Sequence, residues 1–177
     1  SGFELETPFD RPITYGLFLR ATSLNGISLW SVLFSQAFLL SSLILLVMRE
    51  FMSRAHYLYA GVITILFLSL FTGVSWTVSQ LMPDVFTAIG FLLIILIMTG
   101  KLSRKIRVGL YVLFFITCAM HMSHVLLFTL LVTFIFLFRR FMISEEVYPR
   151  SKARLTTLLI LSIGSFATMS SAASKSK

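Results

Sequence analysis

The sequence predicts an all-α fold: a polytopic bundle of transmembrane helices. Three observations predict it. Hydrophobic residues make up 57% of the 177-residue chain and charged residues 12%, whereas a soluble domain carries about 25% charged residues. Mean hydropathy is +0.92, more apolar surface than one soluble core can hide. Five stretches, residues 28–48, 57–83, 85–100, 108–138 and 155–174, contain no Asp, Glu, Lys or Arg.

A spanning helix needs about 20 residues, within a range of about 17–25. The first, second and fifth stretches fit one span each. The third is short and fits where its ends snorkel or the bilayer thins. The fourth is too long for one span and short for two. Lys101, Arg104, Lys105 and Arg107 precede it, and Arg139 and Arg140 follow it. With both flanks on the cytoplasmic side it must be a hairpin of short helices, 108–120 and 124–138. His121-Met122-Ser123-His124 is its most polar point and makes the turn. The alternative, one long tilted helix, would break the charge bias.

Six spans, over residues 28–173, put the loops at 49–56, 100–107 and 139–154 on one side. Those loops hold eleven of the fifteen Lys and Arg residues. The positive-inside rule makes that side cytoplasmic and sends both termini outside. Four of the seven acids, Glu4, Glu6, Asp10 and Asp84, then face the base-poor side. The lipid bilayer is the expected partner, in the cytoplasmic membrane of a bacterium, with the acids facing the periplasm or exterior. Trp30, Tyr57, Tyr59 and Trp76 lie near proposed helix ends, as an aromatic belt would.

Residues 1–27 read as an extracytoplasmic loop and a juxtamembrane helix. Within 12–26, Ile13, Leu17, Phe18 and Leu24 stand at helical spacing among polar residues. Pro12 suits a first turn and Gly26 a stop, so an amphipathic interfacial helix is expected. No secretory signal is visible in these residues. The chain starts with Ser and ends on Ser-Lys-Ser-Lys just after an apolar run, which reads as a piece of a longer protein.

The net charge of +8 does not point to nucleic acid. The aromatics belong to the apolar runs and not to a basic patch. Cys118 is the only cysteine and reads as a packed core thiol. There is no Gly-rich phosphate loop and no H-E-x-x-H, G-x-S-x-G or C-x-x-C pattern.

What remains is a small set of polar residues at one mouth of the bundle. Asp10, in Asp10-Arg11-Pro12, suits a cap or turn. The functional reading puts it, with Arg11 as a fork of donors for phosphate, at a polar site on the membrane surface. Asp84, in Met82-Pro83-Asp84, heads the next helix, where capping is the plain reading. A carboxylate at the mouth of a bundle is costly beside lipid and tends to be functional. His121 and His124 are three apart and share a face on a helix. Two histidines make no metal motif alone, since a site takes three or four ligands; hydrogen bonding at the turn or contact with phosphate fits better. Glu145 and Glu146 read as solvated partners of neighbouring bases.

The order of these features resembles the central part of a GT-C-type integral membrane glycosyltransferase, over about residues 8–140. The stretch "FDRPITYGLFLRATSLNGISLW" looks like that group's Pro-containing entry into a juxtamembrane helix, and "MREFMSRAH" like its basic cytoplasmic turn. Asp84 in "SQLMPDVF" matches its second acid, and "HMSH" its polar outer turn. The first acid of that group lies further upstream, so Asp10 stands in for it and is not a match. The large soluble domain that often follows is missing.

The resemblance implies inverting transfer of a sugar from a polyprenyl-phosphate carrier to an acceptor at the extracytoplasmic face. Asp84 and Asp10 would be the catalytic acids. Arg11, His121, His124 and Tyr15 would bind substrate. It implies a lipid-linked sugar donor as partner and allows a divalent metal without indicating one; no other cofactor is implied. Donor sugar, acceptor and oligomeric state are unreadable. Two other classes stay open. One is a transporter or flippase for a lipid-linked or anionic substrate, in which Gly61, Gly73, Gly90 and Gly164 would mark broken helices. The other is a non-catalytic membrane subunit in which both acids only cap helices.

Overall fold

The computed structural model describes residues 13–99, 102–142 and 148–175. They form eight helices, with no strand among them: α1 (Ile13–Thr22), α2 (Trp30–Phe51), α3 (Tyr57–Phe71), α4 (Val74–Ser79), α5 (Val85–Thr99), α6 (Arg104–Ala119), α7 (Met122–Met142) and α8 (Tyr148–Lys175). The expected all-α class stands. The expected pair at Asp10 and Arg11 lies outside the described residues, as do Glu4, Glu6, Glu145 and Glu146.

The centre of the bundle is α5. It is apolar on every side, and its buried residues include Val85, Phe86, Ile89, Leu93, Leu96 and Ile97. A helix with no polar face is stable only when covered all round. Here α2, α6 and α8 pack against it, and α7 lies along α8. On α2 the buried residues Val32, Gln36, Leu40, Leu43 and Ile44 form one stripe. Its other face presents Phe34 and Phe38, 72% and 76% exposed, where a water-facing helix would carry charges. α3 is also apolar all round, yet Gly61 is its one buried residue.

Two breaks set the helix lengths. The stretch 57–83, expected as one span, is divided at Thr72-Gly73. Thr72 Oγ1 donates back to Leu68 O and accepts from Val74 N at 3.3 Å, ending one helix and starting the next. Ser75 Oγ donates to Ser69 O at 2.8 Å across the same corner. The stretch 108–138 is divided at Met120-His121, where the hairpin was expected. The chain reverses there, because Phe114 on α6 and Phe128 on α7 bring their rings within 5.6 Å.

Six spans were expected; by length and composition the described residues support one. Among the described residues, α2 is the one helix long and apolar enough to cross a membrane; α3, α5 and the Met122–Phe138 part of α7 are apolar but run 10–17 residues. The 15 residues of α5 rise about 22 Å, short of a hydrocarbon core of about 30 Å.

A helix forms where the interfacial helix was expected, but it buries a different face from the one expected. Tyr15 is 3% exposed and Leu17 60%, and the inward set is Tyr15, Phe18 and Leu19. Tyr15 and Phe18 set their rings edge-on to Phe86 at 6.4 and 5.1 Å, so α1 docks on the start of α5. Leu24, expected on the apolar stripe, is 58% exposed. It stands at φ 54°, followed by Asn25 at 59° and Gly26 at 93°. Three left-handed residues end the helix. Asn25 helps hold the turn by accepting from Arg20 Nε at 3.1 Å.

Of the four glycines considered as helix breaks, Gly73 stands at one. Gly61, Gly90 and Gly164 lie inside unbroken helices. At Gly90 a Cβ would fall 2.1 Å from Phe128 Cζ, and at Gly61 2.4 Å from Leu45 Cδ2. These two glycines allow close helix approach, the usual work of small residues in apolar bundles.

The bundle has two unlike ends. One gathers the starts of α5 and α7 with the end of α6. The other gathers the end of α5 with the starts of α6 and α8. At that second end Arg154, 7% exposed, donates from Nη1 to Ile97 O at 3.0 Å and to Met98 O. A helix leaves its last carbonyls unsatisfied and slightly negative, so a buried cation from α8 closes α5.

Candidate functional site

At the end poor in bases, two segments far apart in sequence meet. The first turn of α5 is closed by backbone: Phe86 N donates to Pro83 O at 2.9 Å and Thr87 N to Asp84 O at 3.0 Å. The amides a capping carboxylate would serve are therefore already bonded. Asp84 is exposed, and among the described residues its carboxylate takes no hydrogen bond. The capping role expected of this side chain is filled by main chain.

One turn along α5, Thr87 meets α7. Its Oγ1 lies 2.9 Å from His124 Nε2, and His124 Nδ1 lies 3.2 Å from Thr117 O on α6. A carbonyl only accepts, so Nδ1 carries a proton. In the neutral ring Nε2 is then the acceptor and the Thr87 hydroxyl donates to it. His124 is 2% exposed and is fixed from both sides. Asp84 lies near enough to act on it electrostatically.

His121 precedes the first residue of α7 and helps hold its start. Its Nδ1 accepts from Ser123 N at 3.2 Å and pairs with Ser123 Oγ at 2.7 Å. With Nδ1 accepting, the neutral ring carries its proton on Nε2, at the partly exposed mouth. The two histidine rings stand 5.7 Å apart. Both nitrogens of His124 are engaged, so the pair does not offer two free nitrogens to a metal. Among the described residues no group of three or more His, Cys, Asp and Glu gathers.

The structure thus brings Asp84, His121 and His124 together. It builds Tyr15 into the core against Phe86, and Asp10 and Arg11 lie outside the described residues. Sequence reasoning missed Thr87 and the Thr117 carbonyl. The spacing held a signal for Thr87, since a residue three after Asp84 shares its side of a helix. It also missed Gln36, a lone amide in an apolar run. Gln36 is 0% exposed, and neither its Nε2 nor its Oε1 has a hydrogen-bond partner. Cys118 is buried and free, as expected of a core thiol.

No protein-family model, curated protein or solved structure matches this chain.

Proposed function

We propose that this chain is part of the membrane-embedded machinery of a GT-C-like glycosyltransferase, moving a sugar from a lipid-phosphate carrier to an acceptor at the base-poor face. The observation that carries the proposal is the meeting of an exposed, unbonded carboxylate, Asp84, with the Thr87–His124–Thr117 chain. Two supports favour a bilayer setting. The broad faces of α2 and α3 are apolar and exposed, and the basic residues collect at the opposite end.

The chemistry follows from the proton positions. The acceptor oxygen attacks the anomeric carbon while the bond from that carbon to the carrier phosphate breaks. Asp84 takes the acceptor proton as general base. The bonding pair leaves with the phosphate, and His121 Nε2–H donates to a phosphate oxygen. His124 touches neither reactant; it holds Thr87 and the start of α7 in register.

The test uses native membranes containing the full chain and polyprenyl-phosphate donors carrying labelled glucose, mannose or N-acetylglucosamine. Label leaving the carrier measures transfer. Asp84→Asn should lower it by about 10²–10⁴-fold, the usual worth of a base. Full transfer by Asp84→Asn, or no transfer by the unaltered chain from any of the three donors, would rule the reading out.

A further inference from the structure

The neighbours of α5 leave one narrow line of it open. Ala88, Phe91, Ile95 and Thr99 are its exposed residues, and the rest of the helix is buried or half-buried. With Asp84 they follow i, i+4, i+7, i+11, i+15 spacing, which is one stripe along a helix. The stripe starts at the carboxylate and rises about 16 Å to Ile95. Its side chains between Asp84 and Thr99 are apolar, and the Thr99 hydroxyl donates back to Ile95 O at 2.8 Å. The line is also recessed. Phe91 and Ile95 are 41% and 39% exposed, whereas Phe38 on α2 and Leu126 on α7 reach 76% and 64%. One flank is α7, where the Phe128 ring stands 5.8 Å from that of Phe91 and His124 meets Thr87. On the other flank Val85, Ile89 and Leu96 are buried.

Charge and apolarity together define what fits this line. The exposed Asp84 carboxylate offers only acceptor oxygens, and beside lipid such a charge is costly unless a cation meets it. Arg20, the described guanidinium at this end, is turned to Asn25 Oδ1 at 3.1 Å. An ammonium brings a compact charge with three donors. An exposed ion pair alone is worth little, and hydrocarbon alone would not choose this line over the rest of the apolar belt. A molecule carrying both meets the carboxylate with its head and packs its tail against Phe91 and Ile95, where many small contacts add up.

We propose that this line seats an amphiphile with a primary-amine head, its ammonium on Asp84 and its hydrocarbon tail along Ala88, Phe91 and Ile95. Binding needs no sugar transfer, so the proposal stands apart from the transferase reading. An amine on Asp84 occupies the base, so the same amphiphile should inhibit any transfer that Asp84 supports.

Thermal unfolding of the full chain in an uncharged maltoside detergent tests it, because a ligand of the folded state raises the unfolding temperature saturably. The probes are dodecylamine, protonated at pH 7 as alkylamines are, dodecanol, which lacks the charge, dodecanoate, which reverses it, and methylamine, which lacks the tail. Dodecylamine should raise the unfolding temperature saturably, and the other three should not at the same concentrations. Asp84→Asn should weaken dodecylamine binding at least tenfold. Its carboxylate is exposed and the first turn of α5 is closed by main chain, so this variant keeps the fold. Ala88→Trp, which fills the line beside the carboxylate, should weaken binding as much. Leu126→Trp, on α7 and off the line, should change it less than twofold. Equal shifts with dodecanol would mean that any hydrocarbon covers the line, and equal shifts with methylamine that the head alone binds. Either result, undiminished binding in Asp84→Asn or Ala88→Trp, or no saturable rise with dodecylamine would overturn the proposal.

Discussion

Gly90→Ala puts the packing of the site under direct strain. The added Cβ would lie 2.1, 2.6 and 2.8 Å from three ring atoms of Phe128, where ordinary contact begins near 3.4 Å. The ring has no room to retreat. Phe128 is 0% exposed and is hemmed by Phe91 at 5.8 Å, Phe114 at 5.6 Å and His124 at 5.9 Å. Overpacking of this kind costs about 1–3 kcal/mol, and a fully enclosed ring belongs at the upper end. Replacing a helical glycine by alanine returns about 1 kcal/mol. The net loss is then about 2 kcal/mol, or roughly 4–8 °C in Tm for a chain of this length. The strain is relieved by moving α7, which draws His124 off Thr87, so transfer should fall with Tm. Thermal unfolding in detergent is the assay. Adding Phe128→Leu should recover most of the loss, a coupling expected only for residues in contact. Gly109→Ala and Gly164→Ala are the controls, since a Cβ at either meets nothing within 4 Å; they should hold or raise Tm. An unchanged Tm in Gly90→Ala, or no recovery with Phe128→Leu, would refute the reasoning.

Other variants probe the remaining polar groups. Arg154→Gln removes the donor to Ile97 O and Met98 O; one charged nitrogen serving both is worth about 3 kcal/mol, so Tm should fall by roughly 6–12 °C, and a fall under about 2 °C would dismiss the capping role. Gln36→Leu removes a buried amide with no hydrogen-bond partner, which should stabilise by about 1–3 kcal/mol; a lower Tm would mean that the amide has an essential role in the folded bundle. Cys118, 0% exposed, should resist maleimide in the folded protein and react once the chain is unfolded in detergent. Ready labelling of the folded state would mean that the α6–α7 corner opens.

Much of the architecture was legible because it rests on local chemistry. The corner at His121 could be read from polar residues in an otherwise apolar run, and the structure places it between α6 and α7. The break at Thr72-Gly73 was expected only under the transporter reading, as one of four glycines, and the stretch was otherwise read as a single span. The break depends on a hydroxyl choosing the Leu68 carbonyl over solvent, a choice that hydropathy does not record. The inward face of α1 was misread for a tertiary reason. Leu17 and Tyr15 are both plausible inward residues by pattern, and the Phe86 edge selects Tyr15. At the site, Asp84 and the two histidines were legible as polar exceptions near helix ends. Thr87 was not, because its role exists only where α7 folds back beside α5. Arg154 was hidden in a basic run, where one buried guanidinium looks like its solvated neighbours.

The contrast between α3 and α5 limits what such reading can achieve. Both have 15 residues, and both lack a polar face. Hydropathy cannot say which is the core, yet one is enclosed while the other shows Leu58, Tyr59, Val62, Ile63, Leu66, Phe67, Leu70 and Phe71. A continuous apolar face of that kind is rare on a water-exposed monomer. Something apolar must cover it. A single partner subunit would cover one side of the bundle. Large apolar side chains are exposed on α2, α3, α6, α7 and α8 alike, including Phe38, Phe67, Val112, Leu130 and Ile160. They lie between the arginine-rich end and the end that holds Asp84. A belt around the bundle with polar groups above and below it is the pattern a bilayer requires, and that distribution favours lipid over one partner as the cover.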